Sequence, residues 1–234
     1  MPPQQPVRPP GTPSHPPHRH ARRKEARPGE LLDAALDLFV ERGYAATRVE
    51  AVAARAGVSK GTLFLYFPSK EELFKAVVRE NITGRFQRWN EEFETFEGST
   101  ADMVRYCYAS WWEHIGATRA SGITKLMLSE AGNFPEITRF YQQEVIQPGH
   151  QLVRRVLERG MACGEFRVLD LDYAVYAVLA PLMFLVMGKH SMAACTSASH
   201  IFCCQAYLEM QLDILLSGLC GASPAAPAKP APAS

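Results

Sequence analysis

Apolar residues along this chain recur at helical spacing, and neither strand-like alternation nor an Asn-Gly or Asp-Gly hairpin signal occurs anywhere. A first helix begins near Pro28, carries Leu32, Ala35, Leu36 and Phe39 on one face, and stops at Gly43, a residue suited to a left-handed cap. Thr47 and Glu50 have the spacing of a capping box that opens a short helix burying Val49, Val52, Ala53 and Ala56. Gly57 breaks that helix, Val58 fills the corner, and Ser59 caps a third helix running to about Tyr66. A second capping box, Ser69 with Glu72, opens a long helix through Leu73, Phe74, Val77, Ile82, Phe86, Trp89 and Phe93 that ends before Gly98. Further helices are expected near 100–117, 122–131, 136–163, 172–190 and 197–218. Gly98, Gly132 and Gly164 mark breaks, and Pro148-Gly149 a kink. The fold class is therefore all-α.

Two short helices joined by Ala56-Gly57-Val58-Ser59 form a helix-turn-helix pattern, which serves DNA recognition but is also produced by αα-hairpins in bundles. In the DNA-binding use, the first helix crosses the backbone and the second lies in the major groove. The second helix here opens with Lys60-Gly61-Thr62, small, polar and basic, and its glycine allows close approach to base edges. Lys70 adds a positive charge beside the anion site at the next helix start. Charge sharpens the picture. Residues 1–80 hold 13 Lys and Arg against 9 Asp and Glu, while the rest holds 12 against 15, so a net of +1 hides a basic front. The Pro-, His- and Arg-rich segment 1–27 alone carries +5, so the excess also fits a basic tail. That segment and the Pro/Ala stretch 222–234 are expected to be disordered.

The run GELLDAALDLFVERGYAATRVEAVAARAGVSKGTLFLYFPSKEELFKAVV, with LFVERGYAAT and VAARAGVSKGTLFLYFPSKEEL in fixed relative spacing, resembles the DNA-binding domain of the TetR family of bacterial transcriptional regulators. The resemblance covers about 28–80 and implies a domain at 28–75 of three helices. It also implies a second helical domain at 76–221 for effector binding and dimerisation. Carried over by position, Lys60, Gly61, Thr62 and Phe64 would face base edges, and Thr47, Arg48, Ser59, Tyr66 and Lys70 would bind phosphates. Phe64 stands where the family commonly has Tyr, which exchanges a hydroxyl contact for one suited to a thymine methyl. Leu65 stands where a polar or aromatic residue is usual. The implied function is a ligand-released homodimeric repressor on a palindromic operator, read by the helix at 60–66; an activator of the same fold is the near alternative.

The second half is less diagnostic. Residues 173–187 are apolar all round the helical wheel, and between Tyr173 and Leu208 Lys189 is the one Lys, Arg, Asp or Glu. Two such helices imply a partner subunit, with Leu182, Phe184, Tyr207 and Leu215 as candidates for the seam. Aromatic and Met residues crowd the middle helices. In most proteins these are core, but the family resemblance makes Phe86, Trp89, Tyr108, Trp111, Trp112, His114, Met127, Phe134 and Tyr141 candidates to surround a small, largely apolar effector. Arg105 and Glu130 join His114 as possible polar anchors.

The uncharged apolar stretch Tyr173–Gly188 has 16 residues and contains Pro181, short of the ~20 a spanning helix needs, so no membrane partner and a cytoplasmic location are expected. The 6 cysteines form no CxxC pair, and His200 before Cys203-Cys204 lacks a second ligand pair, so free thiols and no metal are expected. His15, His18 and His20 read as part of the tail. Nucleophile elbow, P-loop, Rossmann glycine run and HExxH are all missing, and Glu91, Glu92, Glu94 and Glu97 lack an i,i+3 His. An enzyme is thereby disfavoured and no cofactor is expected. Lys60-Gly61-Thr62 and Lys70 speak against an adaptor that has lost DNA binding.

Overall fold

The computed structural model describes residues 27–192 and 203–221, and among these every regular element is helical. In chain order the helices are α1 Arg27–Ala46, α2 Val49–Arg55, α3 Lys60–Tyr66, α4 Lys70–Val78, α5 Gly84–Thr95 and α6 Thr100–Trp111. They continue with α7 Ser121–Glu130, α8 Pro135–Tyr141, α9 Gln147–Ala162, α10 Leu171–Met187 and α11 Cys204–Cys220. The π-helical turns Arg79–Thr83 and Gln142–Ile146 fuse α4 to α5 and α8 to α9. Pro148, expected to kink the second rod, lies just past the π-helical turn Gln142–Ile146, which alters the hydrogen-bond ladder ahead of the residue that lacks an N–H. The tails, Cys195, His200 and the start of the helix expected from 197 lie outside the described residues.

Local chemistry accounts for most boundaries. Ser59 accepts a hydrogen bond from Thr62 N at 3.1 Å, Ser69 from Glu72 N at 3.1 Å and Ser99 from Asp102 N at 3.1 Å, each satisfying an otherwise orphaned N–H. The reciprocal half of the Ser69 box gives way to an ion pair, Lys75 Nζ lying 3.1 Å from the Glu72 carboxylate. The box expected at Thr47 and Glu50 does not form. Arg48 occupies the cap of α2 with no side-chain bond, and the Thr47 hydroxyl turns inward instead.

Hydrophobic packing divides into two clusters. The first joins Leu31, Leu38, Phe39, Val52, Leu63 and Phe74 of α1–α4 to Ile115, Ile123, Leu126, Ile137 and Phe140. The second joins Met103, Tyr108 and Leu157 to Val178, Leu182, Leu185, Leu208, Leu212 and Leu216. The first cluster therefore binds the three reading helices to α7 and α8. Gly122 lies so close to Val40 that a Cβ there would sit 2.5 Å from a methyl group.

Leu182, expected in a subunit seam, is buried within the second cluster of its own chain, and Tyr207 and Leu215 are partly buried against it. A helix apolar all round offers several stripes, and the one at Val175, Val178, Leu182 and Leu185 is buried internally. The outward stripe is Tyr173, Tyr176, Phe184 and Met187, with Met210 and Ile214 exposed on α11. By length and composition, Leu171–His190 would also suffice to cross a membrane, and 28% of its most apolar window is buried here, partly in the second cluster.

Candidate DNA interface and effector cavity

The helix-turn-helix is built by two left-handed glycines. Gly43 (φ 82°) turns the chain out of the main body of α1, and Gly57 (φ 68°) turns it between α2 and α3. Val58 N donates to Ala53 O at 2.9 Å to close the corner, and Leu63 is fully buried, which leaves the opposite face of α3 in solvent. That face presents Lys60, Gly61, Phe64 (39% exposed) and Leu65 (85% exposed). Ser59 Oγ lies 2.9 Å from Thr62 Oγ1, and Lys60 Nζ lies 2.6 Å from Glu50 Oε1. The Glu50 carboxyl is held below its usual range chiefly by its hydrogen bond with Lys60. Arg48 is exposed on the same side of the motif, and Tyr66 is 38% exposed.

Two residues expected to bind phosphate are committed elsewhere. Thr47 is 2% exposed, and its hydroxyl lies 2.7 Å from Gly43 O and 3.0 Å from Leu38 O, so its one proton serves the end of α1. Lys70 Nζ donates to Tyr44 O at 2.8 Å, Thr47 O at 3.1 Å and Ala45 O at 3.2 Å, and lies 4.4 Å from the Tyr44 ring centroid. Burial pulls the Lys70 pKa below its ordinary value, with Glu130 opposing. Both residues thus stitch the turn between α1 and α2.

The N–H groups of that turn are held from the other side. Tyr44 N donates to Glu130 Oε1 at 3.0 Å and Ala45 N to Glu130 Oε2 at 3.1 Å. A Cβ at Gly43 would stand 2.2 Å from Glu130 Oε1, so any other residue there would push the carboxylate aside. Phe134 packs edge-on against Tyr44, with ring centroids 4.8 Å apart. At the opposite end of α7, Arg119 pairs with Asp37 and lies 3.6 Å from Asp33. Helix α1 is therefore docked along α7 at both ends, and Glu130, expected as an effector anchor, is a structural tie.

The other side of α7 faces a cavity of about 840 Å³, walled by Met127, Leu128 and Ala131 together with residues of α5, α6, α9 and α10. Of the expected effector residues, Phe86, Trp89, Tyr108, Trp111, Met127 and Tyr141 line it. Trp112, His114, Phe134 and Arg105 do not: His114 Nδ1 lies 2.8 Å from Ser110 O, Phe134 is engaged by Tyr44, and Arg105 is exposed. Leu182 lines the cavity instead of the seam. Polar groups on the wall that sequence reasoning passed over include Glu92, Thr124, Gln142 and His150. Thr124 Oγ1 lies 3.1 Å from the Tyr141 hydroxyl, which burial pushes up to about 12. Burial also lowers His150 below its ordinary value.

A capped, solvent-facing helix after a glycine turn, rigidly joined to a helical body around an apolar cavity, defines a helix-turn-helix DNA-binding regulator. Residues 31–77 match the sequence pattern of bacterial regulatory proteins of the tetR family, and residues 110–198 match the C-terminal domain of AefR-like transcriptional repressors. The HTH-type transcriptional repressor KstR2 of Rhodococcus jostii is 32% identical over 150 residues, 64% of this chain and 72% of that protein. The HTH-type transcriptional activator FasR of Mycolicibacterium smegmatis is 46% identical over 59 residues, 25% of this chain and 27% of that one. The fold also matches FadR from Bacillus subtilis, solved in complex with stearoyl-CoA, at a TM-score of 0.68 and 20% identity, covering 82% of this chain and 98% of that one. The chain belongs to the TetR family of bacterial regulatory proteins; it is a DNA-binding transcriptional regulator and not an enzyme.

Proposed function

We propose that this regulator is a homodimeric repressor that leaves a palindromic operator when a small, largely apolar molecule enters the cavity. The observation that carries the reading is α7, which forms the cavity wall on one side and holds the α1–α2 turn of the reading domain on the other. A ligand that fits the cavity only when α7 is displaced shifts the population away from the DNA-competent arrangement, and the coupling is reciprocal. The cavity volume is within the ~300–1,000 Å³ usual for small-molecule sites. Lys60, Gly61, Thr62 and Phe64 would meet base edges, with Arg48, Ser59 and Tyr66 at the backbone. The exposed stripes of α10 and α11 would meet their copies in the second subunit, which places two α3 helices on one duplex. FadR from Bacillus subtilis, with its bound stearoyl-CoA, supports the same use of the fold.

A mobility-shift titration on duplex DNA flanking the protein's own coding sequence tests the proposal. The expected result is a complex of dimer stoichiometry on two half-sites about 34–36 Å apart, or a multiple of that. A protected single half-site at saturating protein, or no complex on that DNA, overturns it.

A further inference from the structure

The cavity wall is chemically one-sided. No Lys, Arg or Asp lines it among the described residues, and Glu92 is the one acidic side chain on its wall. His150, the lining residue that could become cationic, is disfavoured as a cation because burial lowers its pKa. Tyr106 and Cys107 also line the wall: the acidity of Tyr106 is suppressed first by burial and then by its side-chain hydrogen bond with Glu92, and that of the Cys107 thiol first by burial and then by the nearby Glu92 carboxylate, to about 11. Neither supplies positive charge. The Glu92 Oε2 atom is buried and has no hydrogen-bond partner among the described residues. Its Oε1 lies 3.7 Å from Arg88 Nε one helical turn away, but that arginine is 68% exposed, so water screens the attraction. A carboxylate oxygen that is buried and short of donors is unfavourable, and a donor arriving with a ligand recovers that energy.

Position matters as much as charge. The lining residues of the α4–α5 rod run from Ile82 to Phe96, roughly 20 Å at the helical rise, and Glu92 lies toward the end remote from α7. Between that end and Met127 the wall is mostly hydrocarbon and aromatic ring, including Phe86, Trp89, Val153 and Leu179.

We propose that the effector is an elongated apolar molecule whose N–H or O–H donor, an ammonium group above all, binds Glu92 Oε2, and that the cavity rejects a carboxylate or phosphate head group. This rests on the reading of the cavity as the effector site. The physical reason is the same for both halves: the fixed charge is negative, partly desolvated, and matched by no cation on the wall.

The test titrates the full-length protein with n-decylamine, n-decanol and decanoate, followed by quenching of Trp89 and Trp111 and by calorimetry. The amine and the alcohol separate an ionic from a neutral donor. The expected order is amine, then alcohol, then decanoate, with the amine ahead of decanoate by about tenfold or more. Glu92→Gln should remove the advantage of the amine while leaving the alcohol within about threefold. Two cavity-filling variants, Val153→Trp and Leu179→Trp, checked for helicity, should lose all three ligands. Decanoate binding as tightly as the amine, or an order unchanged in Glu92→Gln, overturns the donor assignment while the cavity reading stands. Failure of every probe to bind the parent protein, or undiminished binding in both filled variants, overturns the cavity reading and the donor assignment with it.

Discussion

Lys60 and Lys70 lie in one motif, yet their ammonium groups face different environments. Lys60 is paired with the exposed Glu50 and lies 5.7 Å from the Phe64 ring centroid, partners it can exchange for DNA, whereas Lys70 is surrounded by three backbone carbonyls. Lys60→Ala should weaken binding to a cognate duplex by about 1–3 kcal/mol and relax base preference, measured by competition against point-substituted sites. Lys70→Ala should lower stability by about 1–3 kcal/mol in urea unfolding and leave the salt slope of DNA binding unchanged. A slope reduced by about one in Lys70→Ala would return that residue to the phosphate backbone. The inward direction of Lys70 and Thr47 was hidden in the sequence, because a lysine at a helix start suits an anion as well as it suits carbonyls folded back from 23 to 26 residues away. Acidity offers a second residue-level test. His150 and His190 both have pKa values lowered, first by burial, and Lys189 and Lys125 depress His190 further. The unfolded chain therefore binds protons that the folded chain resists, so stability is complete above about pH 6.5 and declines as pH falls through the folded values. Thermal melts at about pH 7.5 and about pH 5.5 should show this loss, and a His150→Phe, His190→Gln double variant should reduce it.

Among the elements, α7 is the one whose two faces serve different ends. Its carboxyl-terminal residue Glu130 holds the backbone of Tyr44 and Ala45, while Met127 and Leu128 face the cavity. Glu130→Ala should accelerate amide hydrogen exchange at Tyr44 and Ala45 and cost about 1–3 kcal/mol, whereas Glu130→Gln, which keeps one acceptor, should lie between. Unchanged exchange in Glu130→Ala would remove α7 from the coupling. Gly43→Ala should be more damaging still, since it combines a left-handed backbone with a Cβ 2.2 Å from Glu130 Oε1. Periodicity and caps made most of the helices readable from the chain, from Leu32, Ala35, Leu36 and Phe39 on α1 to Ser69 before α4. What stayed hidden was long-range. Glu130 meets partners 85 and 86 residues away, and nothing local marks it as a tie. The π-helical turns have no sequence signature of the kind that serine caps provide. In α10 the absence of any polar stripe concealed which face is internal, so Leu182 was legible as buried but not as buried within its own chain.

At the scale of the molecule, the outward stripe Tyr173, Tyr176, Phe184 and Met187, with Met210 and Ile214 on α11, leaves large apolar side chains in solvent, the kind of surface that a partner covers. A second copy is the occupant this reading assigns. Phe184→Glu and Ile214→Glu would each set like charges facing across a two-fold seam, so sedimentation should show monomers with native helicity and much weakened binding to a two-half-site duplex. Dimers of unchanged affinity in both variants would move the interface elsewhere. Leu182→Glu, which the unbroken apolar wheel first suggests, would instead place a charge on the wall of the cavity.

The docking of α1 on α7 also governs how this protein can be recombined with its relatives. Transplanting only residues 28–75 onto another regulator's body would separate Val40 from Gly122, Gly43 from Glu130 and Asp37 from Arg119. A foreign residue with a Cβ at position 122 would collide with Val40, and a body lacking the carboxylate would leave the turn before α2 unbraced. A working hybrid sensor must therefore inherit α7 together with the helices that read DNA, which sets the exchangeable module by contact and not by chain order.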